Sequence, residues 1–170
     1  MKTYNKLVRD LVPARIKADG KHVVWHRADL AELHDKLGFK ILEEITEFAT
    51  AKNPEELIDV IEIVNKAELH GKHGRPSPDV IAEWIGEPRK DLDDDGDVLL
   101  DTVFALNDAA TEYVVSRSDK AFGELVIALE TVIKTTGFER NTLEILRKKK
   151  PETNGGFEHD LILDSVAETA

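Results

Sequence analysis

Residues 41–64 read ILEEITEFATAKNPEELIDVIEIV, and two features of this stretch set the expected fold. Upstream of Lys52-Asn53-Pro54, the apolar residues Leu30, Leu33, Leu37, Ile41, Ile45 and Phe48 recur every three or four positions, which is the period of a helix over about 28–51. Asn53-Pro54 then supplies an N-cap and a proline suited to the first helical position, with Glu55 and Glu56 favoured by the helix dipole. So short a break between two helices implies a hairpin of antiparallel neighbours.

The carboxylates of the stretch are clustered. Glu43, Glu44 and Glu47 precede the break, and Glu55, Glu56, Asp59 and Glu62 follow it. Positions three and four apart share a helix face, so Glu43 and Glu44 lie near Glu47, and Glu56 near Asp59. Antiparallel packing brings these faces together. A solvated acidic face would explain any one of these glutamates. It does not explain Glu44 and Glu47 beside the apolar stripe, or Asp59 inside ELIDVIEIV, where propensity and desolvation both disfavour an unpaired aspartate. Carboxylates converging between helices suit a hard divalent cation, and Mg²⁺ keeps waters that a phosphate can replace.

Working outward, Arg9–Ala18 is expected as a brief helix stopped by Asp19-Gly20, and KHVVWHR (21–27) as a strand. The second hairpin helix ends near Leu69 in the turn-rich HGKHGRPSP. A short helix follows Ser77-Pro78, then the polar loop GEPRKDLDDDGD, and helices are expected near 97–115, 120–135 and 141–150. Pro151 and NGGF break the pattern, and FEHDLIL forms a short strand. The fold class expected is all-α: an antiparallel four-helix-type bundle with short N- and C-terminal extended segments, in a single domain 1–170.

The four helices read as two duplicated hairpins. Phe39 aligns with Phe104, Thr46-Glu47-Phe48 with Thr111-Glu112-Tyr113, Glu56-Leu57 with Glu124-Leu125, and Glu62, Val64 and Lys66 with Glu130, Val132 and Lys134. Glu44 aligns with Ala109, and Asp59 with Ile127. The second copy keeps the apolar face and loses acids, as a structural half packed on an equipped one would.

A formal net charge of −11 argues against nucleic-acid polymers and anionic membranes as partners. Without cysteine there are no disulfides or thiolate metal sites, which fits a cytoplasmic setting. The opening MKTYNKLVRDLVP lacks the apolar segment of a secretory signal, and no apolar run approaches the ~18 residues of a bilayer span. HExxH, Walker, GxGxxG and GxSxG motifs are absent.

The spacing Glu43-Glu44-x-x-Glu47 followed by Glu56-x-x-Asp59 resembles the EExxE…ExxD motif of the MazG-like all-α nucleoside triphosphate pyrophosphohydrolases, a group that includes phosphoribosyl-ATP pyrophosphohydrolases and dimeric dUTPases. The opening YNKLVRDLVPARIKADGK and the ending LRKKKPETNGGFEHDLIL are similar to those of a small subgroup, with Asn154 where an arginine is common. The matches cover about 1–67 and 137–163. About 28–69 would be the active hairpin, about 70–136 an insertion carrying the degenerate hairpin, and 137–170 the C-terminal helix and tail. The resemblance implies hydrolysis of a nucleoside triphosphate between its α- and β-phosphates, giving a monophosphate and pyrophosphate. It implies that Glu44, Glu47, Glu56 and Asp59 hold Mg²⁺, with Mn²⁺ as a substitute, and that Glu43 and Glu47 serve catalysis. Lys6, Arg9, Arg147, Lys148 and Lys149 become phosphate contacts, and Asn65 a contact to sugar or base. The internal copy allows either a homodimer or an intrachain pseudo-dimer. The alternative is a non-catalytic module on the same fold that senses nucleotides or binds protein.

Two acidic signals compete. Asp91-x-Asp93-x-Asp95-Gly96 begins like a calcium loop, but Thr102 stands where its bidentate Glu belongs, and an Asp-rich helix start explains it more simply. Asp94 and Asp97 in DDDGDVLLD offer a second ExxD-like pair to complete the metal site in place of Glu56 and Asp59.

Overall fold

The structure is a computed structural model that describes residues 1–85 and 98–168. In chain order the elements are β1 (Lys2–Val8), α1 (Val12–Ala18), β2 (Lys21–Arg27), α2 (Leu30–Ala51), α3 (Pro54–Gly71), α4 (Pro78–Ile85), α5 (Val98–Ser116), α6 (Asp119–Thr136), α7 (Arg140–Asn154) and β3 (Leu161–Glu168).

The central hairpin forms for the reasons its sequence suggests. Asp29 caps α2 by accepting from the Glu32 N–H, and Asn53 caps α3 by accepting from the Glu56 N–H, each at 2.9 Å. Only Lys52 and Asn53 separate the helices. Lys52 adopts a left-handed φ of 49° and donates its N–H to the Phe48 carbonyl, closing α2. Ser118 begins α6 by accepting from the Ala121 N–H after the same kind of reversal, with Arg117 at φ 54°.

Hairpins α2–α3 and α5–α6 pack into one core. Gly38 of α2 lies so close to α5 that an added Cβ would stand 3.0 Å from Val114 Cγ2. Arg117, following α5, donates to the His34 carbonyl at 2.6 Å and to Asp35 at 2.9 Å, so α2 and α5 run antiparallel. The positions aligned between the hairpins share burial. Phe48 and Tyr113 are both in the core, as are Leu57 with Leu125 and Val64 with Val132, while Phe39 and Phe104 are both exposed. Thr46 and Thr111 each donate to the carbonyl four residues back at 2.8 Å.

The fold class expected above is corrected: the chain is α+β. Its terminal segments form a three-stranded antiparallel sheet in the order β1-β3-β2. In the registers Leu7 opposes Ile162, Val8 opposes Leu161, and Val23 opposes Val166. Alternation along the strands divides their side chains between two faces. Leu7 and Ile162 enter the helical core, whereas Val8, Leu161 and Leu163 form a second cluster with Val12 and Ile16 of α1. The central strand β3 is thus buried between the helical core and α1, while β1 and β2 are mostly exposed. Local sequence marks the strand at 21–27 and the start of β3, but the central strand comes from the far end of the chain and most of β1 is exposed, so the sheet itself is not apparent from either end alone.

A second correction concerns Pro151, which lies inside α7 instead of ending it. The helix continues to Asn154, and Gly155 returns its N–H to the Pro151 carbonyl at 2.9 Å. In the last turn the proline removes a single N–H donor. Asp91, Asp93, Asp94, Asp95, Gly96 and Asp97 lie outside the described residues.

Candidate metal centre

The short α2–α3 turn sets the helices in register, so that the last turns of α2 face the first turns of α3. There one carboxylate oxygen from each of Glu44, Glu56 and Asp59 lies within 4.8 Å of the other two. Glu44 is 3% exposed and Asp59 9% exposed, values expected of core residues.

Four cations from four parts of the chain attend these acids. Lys40, one turn before Glu44 on α2, places Nζ 2.6 Å from Glu44 Oε1 and 3.2 Å from Glu43 Oε2. Lys6 of β1 reaches Glu43 Oε1 at 2.6 Å. Arg9, just beyond β1, is buried and donates to both Asp59 and Glu62. It also donates to the Gly155 carbonyl at 3.1 Å and stacks over the Phe157 ring at 4.7 Å. Lys150 of α7 reaches Asp59 Oδ2 at 2.6 Å and the Glu55 carbonyl at 2.7 Å. Sheet and C-terminal helix therefore converge on the acidic hairpin, and this is how the β layer matters to the site.

The compensation is incomplete. Glu44 Oε2 is buried without a hydrogen-bond partner. Burial pushes the Glu44 carboxyl up to about 7; Lys40 pulls it down, and the charges of Asp59 and Glu47 add to the rise. Lys40 is itself held above the ordinary lysine range, because Glu44 and Glu43 outweigh its burial. Burial and two neighbouring carboxylates outweigh one lysine at Glu44, so the pair does not lower its carboxyl as an isolated ion pair would. At Glu43 the balance reverses: Lys6 and Lys40 overcome burial and hold the carboxyl below the usual range. Arg9 is likewise raised, the charges of Asp59 and Glu62 outweighing its desolvation.

The residues present fit a divalent cation. The donors are all hard oxygen, three carboxylates converge, and an orphaned buried oxygen belongs to one of them. A buried polar atom without a partner calls for an explanation, and an ion is one of the few available.

Other residues named from the sequence are placed differently. Glu47 is exposed and lies outside the three-acid group, acting on it through its charge. Asn65 accepts from Arg75 at 2.7 Å, engaged with the segment after α3. Arg147 is exposed and 3.4 Å from Glu144, while Lys148 and Lys149 are exposed beside it. Lys150 and Lys40 carry no role in the expectations from sequence, and Glu62 appears there only as a member of the acidic cluster. Helical phase would have found the first, since Leu143 and Leu146 face the core and Lys150 lies seven positions beyond Leu143 on that side. Lys40, three and four positions before Glu43 and Glu44, was equally legible.

Compared with family models, curated proteins and solved structures, the chain matches none. Among the described residues no helix is long and apolar enough to cross a membrane.

Proposed function

We propose that the protein is a divalent-metal-dependent hydrolase that cleaves the α–β phosphoanhydride of a nucleoside triphosphate. The observation that carries this reading is the Glu44, Glu56 and Asp59 group with its orphaned buried oxygen. The resemblance of the hairpin and both ends of the chain to the MazG-like pyrophosphohydrolases supplies the reaction class.

Glu44, Glu56 and Asp59 would hold Mg²⁺ or Mn²⁺, with Glu47 at the margin. Such an ion neutralises phosphate charge and makes water more acidic. The chain's own groups do the rest. Glu43, kept ionised by Lys6 and Lys40, is an acceptor able to orient the attacking water. The water oxygen bonds to the α-phosphorus, the bond from that phosphorus to the bridging oxygen breaks, and the water's proton passes to a carboxylate. The products are a nucleoside monophosphate and pyrophosphate. Arg9 and Lys150 hold Asp59 from two sides and act as positioning residues. In the second hairpin, Ala109 and Ile127 at the aligned positions make that copy a structural partner within one chain.

A second reading has its own support. Asp59 paired with Arg9 and Lys150, and Glu44 with Lys40, also describe an ion-pair network that would serve a non-catalytic nucleotide-sensing or protein-binding module. The two separate in one assay: pyrophosphate release from canonical, deoxy and modified nucleoside triphosphates, with Mg²⁺ or Mn²⁺ and with excess chelator. Release that needs metal and falls at least ~100-fold in Glu56→Gln, with Glu47→Gln run beside it, is expected of the enzyme. No release across the panel with either metal would favour the module.

A further inference from the structure

Beside the acidic group, on the far side of Lys40, lies a cleft of about 370 Å³ lined by Tyr4, Asn5, Lys6, Lys36, Lys40 and Glu43 among others. Its volume is within the range of small-ligand sites, roughly 300–1,000 Å³. Three lysines face one carboxylate there, in a chain whose net charge is −11. Lys6 and Lys40 both contact Glu43. Lys36 contacts no carboxylate among the described residues; it donates to the Asn5 carbonyl at 3.0 Å and to Asn5 Oδ1 at 2.7 Å.

That contact is built by an irregular backbone. Asn5 sits at a left-handed φ of 49°, where the β1–β3 register shifts between Thr3 and Lys6. A bulge of this kind re-aims side chains, and asparagine is among the few residues that tolerate the conformation. Here it turns two oxygens of one residue onto Lys36 and leaves Lys6 directed into the cleft. Lys36 and Lys40 lie one turn apart on α2, both partly buried, and of the two only Lys40 is paired with carboxylates, those of Glu43 and Glu44.

We propose that this cleft seats the β- and γ-phosphates of the triphosphate and, after cleavage, the pyrophosphate product. The assignment rests on the hydrolase reading above and extends it to the leaving group. Lys40 borders both regions, touching Glu44 of the three-acid group and Glu43 of the cleft, so one phosphate chain can span them. Lys36 supplies uncompensated positive charge for the distal end. The three lysines are point-charge donors, which suit a phosphate tail that needs no planar recognition.

The test is calorimetric titration of the full chain with inorganic pyrophosphate, with Mg²⁺ and with chelator, comparing wild type, Lys36→Ala and the distant exposed control Lys120→Ala. The expected result is pyrophosphate binding weakened about tenfold or more by Lys36→Ala, unchanged by Lys120→Ala, with the circular dichroism of all three alike. A nucleoside monophosphate, titrated in parallel, should be affected little. Absence of pyrophosphate binding in wild type, equal effects of the two substitutions, or a loss confined to the monophosphate would each overturn the assignment. Pyrophosphate bound through Lys36 without any nucleotide hydrolysis would leave the cleft standing and remove the hydrolase. Hydrolysis with unchanged pyrophosphate affinity in Lys36→Ala would do the reverse.

Discussion

Glu44→Gln should make the metal-free protein more stable at alkaline pH and remove its response to metal. Burial first, then the charges of Asp59 and Glu47, raise the Glu44 carboxyl from 4.5 to about 7 despite Lys40. A carboxyl whose folded pKa exceeds its unfolded one binds its proton more tightly when folded. Its contribution is therefore complete below about 4.5 and is lost as pH rises through about 7. At ~1.4 kcal/mol per pH unit, the span between those values corresponds to about 3 kcal/mol. Glutamine keeps the shape and cannot ionise, and Lys40 retains Glu43 at 3.2 Å. In chelator, the stability difference between variant and wild type should move in the variant's favour by about 2–3 kcal/mol from pH 5 to pH 8. Urea unfolding at half-unit pH steps measures this directly. Adding Mg²⁺ at pH 8 should then restore the wild type, by about 2.7 kcal/mol at one hundred times its dissociation constant, and leave the variant nearly unmoved. Parallel pH profiles for the two proteins, or equal stabilisation of both by Mg²⁺, would refute the account of Glu44 as a carboxylate held in place for a cation.

Two further substitutions probe how the rest of the fold serves the hairpin. Arg9→Met leaves the buried Asp59 and the partly buried Glu62 with less positive charge around them. It should cost about 3–5 kcal/mol in urea unfolding at pH 7, towards the lower end because Lys150 still holds Asp59; a loss under ~1 kcal/mol would mean the network is dispensable. Gly155→Ala places a Cβ 2.7 Å from the Leu11 backbone nitrogen at a φ of 75°, and should cost about 1–3 kcal/mol. For a domain of this size that is a fall in Tm of roughly 2–4 °C per kcal/mol, and an unchanged Tm would place Gly155 off the packing surface.

Helices were legible in the sequence because their signals are local. The spacing from Leu30 to Phe48, and Asn53-Pro54 with its following glutamates, fixed the boundaries of α2 and the start of α3 to within a residue or two. Strands were expected over 21–27 and within FEHDLIL, but β1 and the pairing of all three into a sheet were not, because that signal is not local. Leu7 and Val8 mean little until Leu161 and Ile162 arrive beside them, from more than a hundred and fifty residues along the chain. Pro151 misled for a related reason: the rule that proline stops helices is strongest in their interior, and its cost in a last turn is small enough for packing to override.

At the site, spacing located the acids on facing surfaces but could not count the charges sent to meet them. Like charges gathered between helices demand a counter-charge, and the chain meets the demand from within at four of the acids: Lys6 and Lys40 at Glu43, Lys40 at Glu44, Arg9 and Lys150 at Asp59, Arg9 at Glu62. Arg9 follows β1 and Lys150 lies near the end of α7, so two of the counter-ions come from the two ends of the chain, far in sequence from the acids they meet. Had the chain been selected only to neutralise its acids, Glu44 would not retain an unpartnered buried oxygen and a carboxyl pushed to about 7. A non-ionising residue at that position would remove both penalties with no change to the hairpin. The energetic defect is concentrated on the one glutamate that touches both the three-acid group and Lys40, the lysine shared with the phosphate-sized cleft. A defect placed there, on one carboxylate of the three-acid group, is the observation on which the proposed cation site rests.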